Sequence, residues 1–268
     1  MKTFSERAAL VQRARRALRR GRGRPVREES DSIASELMKF ILSQGCTQAE
    51  TDDAMRRIEE SFVDLNELRV SPAKEIADVI PKIRDAHDKA ARVIKLFNAI
   101  FLRHNTMDWS FVRLMGVREL RTYFEQVDGG DAVLGAAAVL LFSSGHAVPA
   151  DADVHRVLLR LAVVSPDEDI PAVQAFLERA VKSDQGYETW ALLRRLAVSR
   201  CVAKAPLCSR CTLKAMCPAG QARLSASKRA GRPSRKKAGA SKRARARKNA
   251  TRGRSPARKT ARKKSAKK

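Results

Sequence analysis

Apolar residues recur at helical spacing through the middle of the chain. Leu37, Phe40 and Ile41 fall at positions i, i+3 and i+4, which places their side chains on one face of an α-helix. The segment 85–102 repeats such a pattern over several turns and predicts a long amphipathic helix. The nearly unbroken apolar run 132–142 predicts another helix. The periodicity therefore predicts a mostly helical protein.

The charge of the chain lies at its two ends. The 268 residues carry a net charge of +26, of which residues 1–27 contribute +9 and residues 221–268 contribute +21, whereas residues 28–220 sum to −4. A polycationic segment binds a polyanion by releasing counterions, with little regard to sequence. Nucleic acid is therefore the expected partner, and a merely solubilising tail is the alternative. The Lys/Arg-rich segment 221–268 is too polar to bury a core and is expected to be disordered.

Four cysteines near the end of the middle region have the spacing of a metal site. Cys201, Cys208, Cys211 and Cys217 are separated by six, two and five residues. Four thiolates suit a 4Fe–4S cluster or a structural zinc ion. Zinc sites usually place their cysteines in two short knuckles, and here only Cys208 and Cys211 form one. An iron–sulfur cluster is the favoured prediction, zinc is the alternative, and the distant Cys46 is interpreted as a core residue.

This cysteine spacing resembles the cluster loop of endonuclease III-type DNA glycosylases, the helix–hairpin–helix glycosylases with a C-terminal iron–sulfur loop. A second segment carries the same resemblance. In that family the pattern is Val-Asp-x-His-Val-x-Arg-Val, and here Asp151 falls on the catalytic aspartate, with Arg156 and Val157 in register. Asp153 stands in place of the histidine. The resemblance covers residues 31–219.

The resemblance implies that Asp151 is a catalytic carboxylate. Cleavage of an N-glycosidic bond develops positive charge on the sugar, and a fixed carboxylate stabilises that charge or activates water. The structural alternative is that Asp151 only caps the helix that follows. Bifunctional members carry a nucleophilic lysine eighteen residues earlier, where this chain has Val133. Without that amine, a monofunctional glycosylase with little or no lyase activity is expected.

Two further features resemble DNA contacts of the family. Gln44 ends a Leu-Ser-Gln segment, and in the family this glutamine enters the duplex where a base has been flipped out. Gly129 and Gly130 form a hairpin between two predicted helices, where glycine lets backbone N–H groups approach a phosphate. Asp128 and Asp131 flank those glycines and place negative charge beside the phosphate site, so the match to the family hairpin is degraded.

Basic residues elsewhere extend the predicted DNA contacts. Lys204, Arg210 and Lys214 lie within the cysteine loop, where they are interpreted either as phosphate contacts or as solvated charges. Residues 5–20 are expected to become a basic helix on DNA, and both tails are expected to bind DNA non-specifically.

The resemblance implies an all-α, two-lobed helix–hairpin–helix glycosylase fold with a 4Fe–4S loop and disordered basic tails. The expected core spans residues 31–220, between a basic N-terminal extension, 1–30, and the tail. Within it, residues 48–163 form a central helical barrel. The other lobe, which carries the cluster, joins residues 31–47 to residues 164–220.

Two functions follow as hypotheses of different classes. The first is a base-excision DNA glycosylase that acts as a monomer on double-stranded DNA. The second is a catalytically inactive iron–sulfur protein that binds DNA. A cytoplasmic, nucleoid-associated location is expected, or a nuclear one in a eukaryote. No membrane association is expected, because no apolar run reaches the ~18 residues that a membrane span needs.

Overall fold

In the computed structural model, all regular elements of the described residues, 2–27 and 32–230, are helices. The chain divides into two compact units, Met1–Leu224 and Ser225–Lys268. None of the helices in the described part of the chain is long and apolar enough to cross a bilayer. The α-helices are α1 (Phe4–Arg22), α2 (Ile33–Ser43), α3 (Gln48–Ser61), α4 (Leu65–Val70), α5 (Ala73–Val79), α6 (Ala86–His104), α7 (Val117–Gln126), α8 (Ala132–Phe142), α9 (Ala152–Arg160), α10 (Ile170–Ala180), α11 (Gly186–Ser199) and α12 (Pro218–Ala230). Short 3-10 helices span Ser110–Leu114, Ser183–Gln185 and Cys208–Arg210.

The apolar run predicted to be helical is α8, and it lies at the centre of the core. Its residues 133–141 are all buried, because the helix is apolar on every side. Helices α7 and α2 pack against it. The predicted amphipathic segment 85–102 corresponds to α6, which packs against α2, α4 and α5. Both helix predictions are confirmed.

Three large aromatic side chains join the elements around α6. Phe97 of α6 meets Trp109 edge to face, with ring centroids 5.3 Å apart, and Trp109 lies 6.3 Å from Phe124 of α7. All three are fully buried. Because large aromatics bury the most apolar area per residue, this cluster fixes α6 and α7 beside each other and so determines where the hairpin after α7 lies.

The expected disorder of the N-terminal extension is wrong for α1. Val11, Ala14 and Leu18 form a buried stripe on this helix, which packs against α10 and α11. Its arginines add ion pairs, since Arg7 lies 2.7 Å from Glu168 and other arginines approach Glu188. The tertiary contacts therefore hold this helix without DNA.

The expected disorder of residues 221–268 is also wrong at their beginning. Residues 221–230 belong to α12, where strong helix formers such as Ala, Arg and Gln predominate. The amide of Gln221 donates to the carbonyl of Cys217 at 3.0 Å, so the helix continues directly from the cysteine loop. Residues 231–268 lie outside the described part of the chain.

The hairpin glycines are required by packing inside the protein. Gly129 has φ +82°, and a Cβ there would lie 2.7 Å from the carbonyl oxygen of Arg92 on α6. A Cβ on Gly130 would lie 2.3 Å from the carbonyl oxygen of Phe124. These neighbours are backbone atoms, which cannot move aside as a flexible side chain can. The hairpin therefore seats directly on α6 and α7, and only glycine permits this approach.

We expect the substitution Gly130→Ala to lower the free energy of unfolding by at least about 3 kcal/mol, because the added methyl group overlaps backbone that cannot relax. Gly116→Ala is the matched control, since nothing lies within 4 Å of a Cβ there. That control is expected to change stability by less than about 1 kcal/mol. Chemical denaturation of both variants measures the difference, and equal effects would contradict the packing argument.

Candidate functional site

Asp151 sits at the N-terminus of α9, as its capping residue. Its Oδ1 accepts a hydrogen bond from the N–H of Val154 at 2.8 Å. The predicted capping by Asp151 is therefore confirmed, and its catalytic role stays a prediction. The same bond fixes the carboxyl group in one orientation, as a catalytic group requires.

The surroundings of Asp151 disfavour its ionised form. Burial raises the pKa of this carboxyl, the Val154 hydrogen bond lowers it, the negative charge of Asp153 raises it and the positive charge of Arg194 lowers it. The net direction is upward. A carboxyl whose pKa is raised by burial beside specific charges is typical of catalytic sites, although ion-pair networks produce similar shifts.

Asp153, which replaces the family histidine, is buried and ion-paired with Arg156 three residues later. Arg156 also donates to the carbonyl of Cys201 at 3.0 Å, and Arg160 donates to the same carbonyl at 2.9 Å. Arg160 extends this contact to the Sγ of Cys201 at 3.4 Å. Helix α9 therefore begins at the candidate catalytic carboxyl and contacts the start of the cysteine loop through Arg156 in its middle and Arg160 at its end.

A cavity of about 230 Å³ opens between α2, α11 and the segment 25–27. Phe40 and Trp190 line it and stack on each other, with ring centroids 5.8 Å apart and planes 27° from parallel. Ser43 and Leu141 also line it. Aromatic side chains in a cavity wall can contact a flat, unsaturated ligand such as a nucleobase.

Arg194 connects this cavity to Asp151. It lines the cavity, donates to the carbonyl of Ser43 at 2.5 Å, and lies close enough for its charge to act on both Asp151 and Asp153. Burial lowers the pKa of its guanidinium, and these two carboxylates oppose that shift. Arg194 thus places a positive charge at the cavity wall that also acts on both carboxylates.

Gln44 lies at the C-terminal cap of α2, next to Ser43 of the cavity wall. Its backbone carbonyl accepts a hydrogen bond from Lys89, whose ammonium also donates to the carbonyl of Leu42 at 3.0 Å. Burial lowers the pKa of Lys89. This lysine satisfies carbonyls that the end of α2 leaves without partners, and so it fixes the turn that presents Gln44. The proposed insertion of Gln44 into a duplex stays a prediction.

The hairpin carries its own anion at the start of α8. The carboxylate of Asp131 accepts from the N–H of Leu134 at 2.7 Å and pairs with Arg92 at 2.7 Å. The N–H of Gly130 donates to the carbonyl of Val127 at 2.7 Å. The N–H groups of Leu134 and Gly130 and the guanidinium of Arg92 therefore have partners within the protein. Without those partners, these donors at the start of α8 would attract a phosphate. A phosphate contact by Gly129 and Gly130 stays a prediction, and the geometry favours their packing role.

The four predicted cysteine ligands come together around one small cavity of about 20 Å³. Burial raises the pKa of the Cys211 and Cys217 thiols, and the neighbouring cysteines raise both further. The N–H of Gly220 donates to the Sγ of Cys217 at 3.3 Å. Within residues 2–27 and 32–230, no group of three or more His, Cys, Asp or Glu converges closely enough to hold a metal ion.

The three basic residues predicted in the cysteine loop differ in their surroundings. Lys204 and Arg210 are exposed, and Lys214, also exposed, donates to the carbonyl of Ser209 at 3.4 Å. Lys214 is the one of the three that lines the cysteine cavity. Their exposure suits a phosphate contact and equally a solvated charge.

The fold is that of endonuclease III. A solved non-covalent endonuclease III–DNA complex superposes with a TM-score of 0.64 at 19% identity, over 84% of this chain and 99% of that chain. A trapped covalent endonuclease III–DNA intermediate gives 0.63 at 20% identity, over 84% and 100%. A thermostable thymine-DNA glycosylase gives 0.56 at 16% identity, over 81% and 98%. No protein-family model matches the sequence, and no curated protein sequence matches it.

Arg194 and Lys89 are the site residues that the sequence analysis missed. Arg194 stands one turn after Trp190 and one residue after Leu193, and apolar residues occupy 190–193 and 196–198 of this helix. An arginine in such a setting is a signal of a buried charge with a specific partner. Lys89 gives a weaker signal, because it lies among the polar residues of an amphipathic helix.

Proposed function

We propose that the protein is a DNA glycosylase that removes a damaged base from double-stranded DNA. The observation that carries the proposal is Asp151, a carboxyl held in one orientation at the start of α9 with its pKa raised by burial. The endonuclease III fold, solved elsewhere as a DNA complex, supports the proposal. The aromatic cavity that Arg194 links to Asp151 supplies a place for a flipped base.

In the proposed mechanism, the ionised Asp151 acts on the sugar of the flipped nucleotide. The carboxylate stabilises the positive charge that develops as the N-glycosidic bond breaks, and it orients the attacking water. The position of the family lysine holds Val133, a buried apolar residue that offers no amine. Water is therefore the proposed nucleophile, and the product is an abasic site in an intact strand.

We also propose that Cys201, Cys208, Cys211 and Cys217 hold a 4Fe–4S cluster. A single zinc ion needs four sulfur atoms within about 2.3 Å of one point, whereas a cluster binds each thiolate to a different iron and so needs a wider cage. All four thiols line one cavity, which supports a shared metal centre. N–H donors at Cys201 and Cys217 suit thiolate ligands. The cluster would supply structural cross-linking of the loop.

The second candidate function is a non-catalytic DNA-binding protein with the same fold. The observation that favours it is the acidic hairpin, where Asp131 occupies the helix N-terminus at which a phosphate would bind. In this alternative, Asp151 serves only as a helix cap, and the basic ends of the chain supply the affinity for DNA.

Cleavage of duplex oligonucleotides distinguishes the two candidates. Each duplex carries one lesion, either an oxidised pyrimidine, uracil, an alkylated purine or an abasic site, and each product is read with and without alkali. Strand breaks that appear only after alkali are expected, because base release leaves an abasic site. Breaks without alkali would contradict the water mechanism. No break on any lesion, together with tight salt-sensitive binding, would favour the non-catalytic protein.

The raised pKa of Asp151 predicts opposite effects of pH on activity and stability. Base release requires the ionised carboxyl, so its rate rises as pH increases through the raised pKa, which lies above the ~3.9 of an ordinary aspartate. The folded protein binds the Asp151 proton more tightly than the unfolded chain does. The contribution of Asp151 to the free energy of unfolding is therefore lost over the same pH increase. Single-turnover rates and denaturant unfolding across pH measure both. A rate that depends on pH only near 3.9 would contradict the role of burial.

A further inference from the structure

Three arginines from distant parts of the sequence come together beside the cysteine loop. Arg22 belongs to the last turn of α1, Arg195 lies on the last turns of α11, and Arg200 is the capping residue of α11, directly before Cys201. Burial lowers the pKa of Arg22, the positive charges of Arg200 and Arg195 lower it further, and Cys211 opposes that shift. Arg22 is thus near enough to Arg195 and Arg200 for their charges to act on it.

The packing of α1 explains why the three arginines meet. A Cβ on Gly21 would lie 3.0 Å from the side chain of Thr212, so the end of α1 rests directly on the cysteine loop. Arg195 lines the aromatic cavity and Arg200 lines the cysteine cavity. The arginine surface, defined as Arg22, Arg195 and Arg200, therefore extends from the candidate base pocket to the cysteine loop.

The arginine surface differs from Arg7 and Arg15 of α1, which have acidic partners. Arg7 pairs with Glu168 at 2.7 Å, and Arg15 pairs with Glu188 at 2.6 Å. None of Arg22, Arg195 and Arg200 has a carboxylate within 4.0 Å in the described part of the chain. Positive charges brought together without a paired carboxylate repel one another, and an external anion relieves that repulsion.

We propose that the arginine surface binds the phosphate backbone of duplex DNA next to the flipped nucleotide. It replaces the backbone contact that the acidic hairpin disfavours, since Asp131 and its neighbour Asp128 place negative charge where that contact would form. Arginine suits this role because its planar guanidinium binds phosphate oxygens in pairs. The proposal rests on the proposed function in one respect only, the identity of the partner as double-stranded DNA.

The salt dependence of binding to an undamaged duplex tests the arginine surface in the full chain. Each phosphate contact contributes about 0.9 to the slope of log K against log salt. The triple variant Arg22→Gln/Arg195→Gln/Arg200→Gln is expected to reduce that slope by about 2–3. The matched control is Lys95→Gln/Arg113→Gln/Arg118→Gln, which removes three exposed charges that have no acidic partner in the described residues. This control is expected to keep the wild-type slope.

A further variant separates loss of contact from loss of folding. Lysine at all three positions keeps the charges, and it is expected to retain most of the slope. Equal slopes for the glutamine triple variant and the control would overturn the proposal. Because the duplex carries no lesion, this result is independent of base release: a wild-type protein that excises no base would refute the glycosylase and leave the slope difference intact.

Discussion

Replacement of Asp151 by asparagine is expected to lower the rate of base release by about 10²–10⁴-fold, the range that a positioned acid or base contributes. Asparagine has nearly the same shape and is an equally good helix cap, so it keeps the bond from Val154. It cannot carry the negative charge that opposes the positive charge on the sugar. Single-turnover base release, read after alkali, measures the loss.

Asp169→Asn is the matched control, because Asp169 caps α10 through a hydrogen bond from the N–H of Ala172 at 2.9 Å. That variant is expected to keep full activity. The Asp151 variant is also expected to be at least as stable as the wild type at neutral pH, because it removes a carboxylate whose ionised form the fold disfavours. Full base release by Asp151→Asn would reduce Asp151 to its capping role.

The second large effect is expected from Cys208→Ser. Loss of one ligand should remove the iron and its visible absorption, and it should lower the free energy of unfolding by about 4–5 kcal/mol or more, because metal binding is folding free energy for a loop of this kind. The loop has little core of its own to replace that contribution, since Leu213 is its buried apolar side chain. Iron and sulfide analysis with thermal unfolding measures both losses.

Cys46→Ala is the control for thiol loss. Cys46 is buried in the core and lies outside the cysteine loop, so its replacement should leave the iron content unchanged. One zinc ion per chain in the wild type, with no iron, would favour the zinc alternative. A soluble, iron-free and fully active Cys208→Ser protein would refute the structural role of the cluster.

Features that are set by residues close together in the sequence could be predicted from it. Helix α8 follows from an apolar run, and α6 follows from amphipathic spacing, because both patterns are set by the 3.6-residue turn of a single helix. The cysteine spacing and the segment around Asp151 indicated the endonuclease III fold, which the solved structures confirm. These signals lie within a few residues of one another, so a sequence displays them directly.

Features that depend on contacts between distant residues became visible only in the folded chain. From its charge alone, the arginine-rich N-terminal segment is expected to be a basic tail. Helix α1 also carries the buried residues Val11, Ala14 and Leu18, and it packs against α10 and α11. The hairpin glycines look like a phosphate site in sequence, but the neighbouring backbone of α6 and α7 explains both of them.

The class of fold, the four cysteines and the carboxyl at the start of α9 can all be recognised in the amino-acid sequence. The tertiary structure alone placed Arg194 near that carboxyl and gathered the arginine surface from α1 and α11. The physical reason is that helix formation and ligand spacing are properties of neighbouring residues. Electrostatic fields and close packing instead depend on distances between segments, which the chain sets only when it folds.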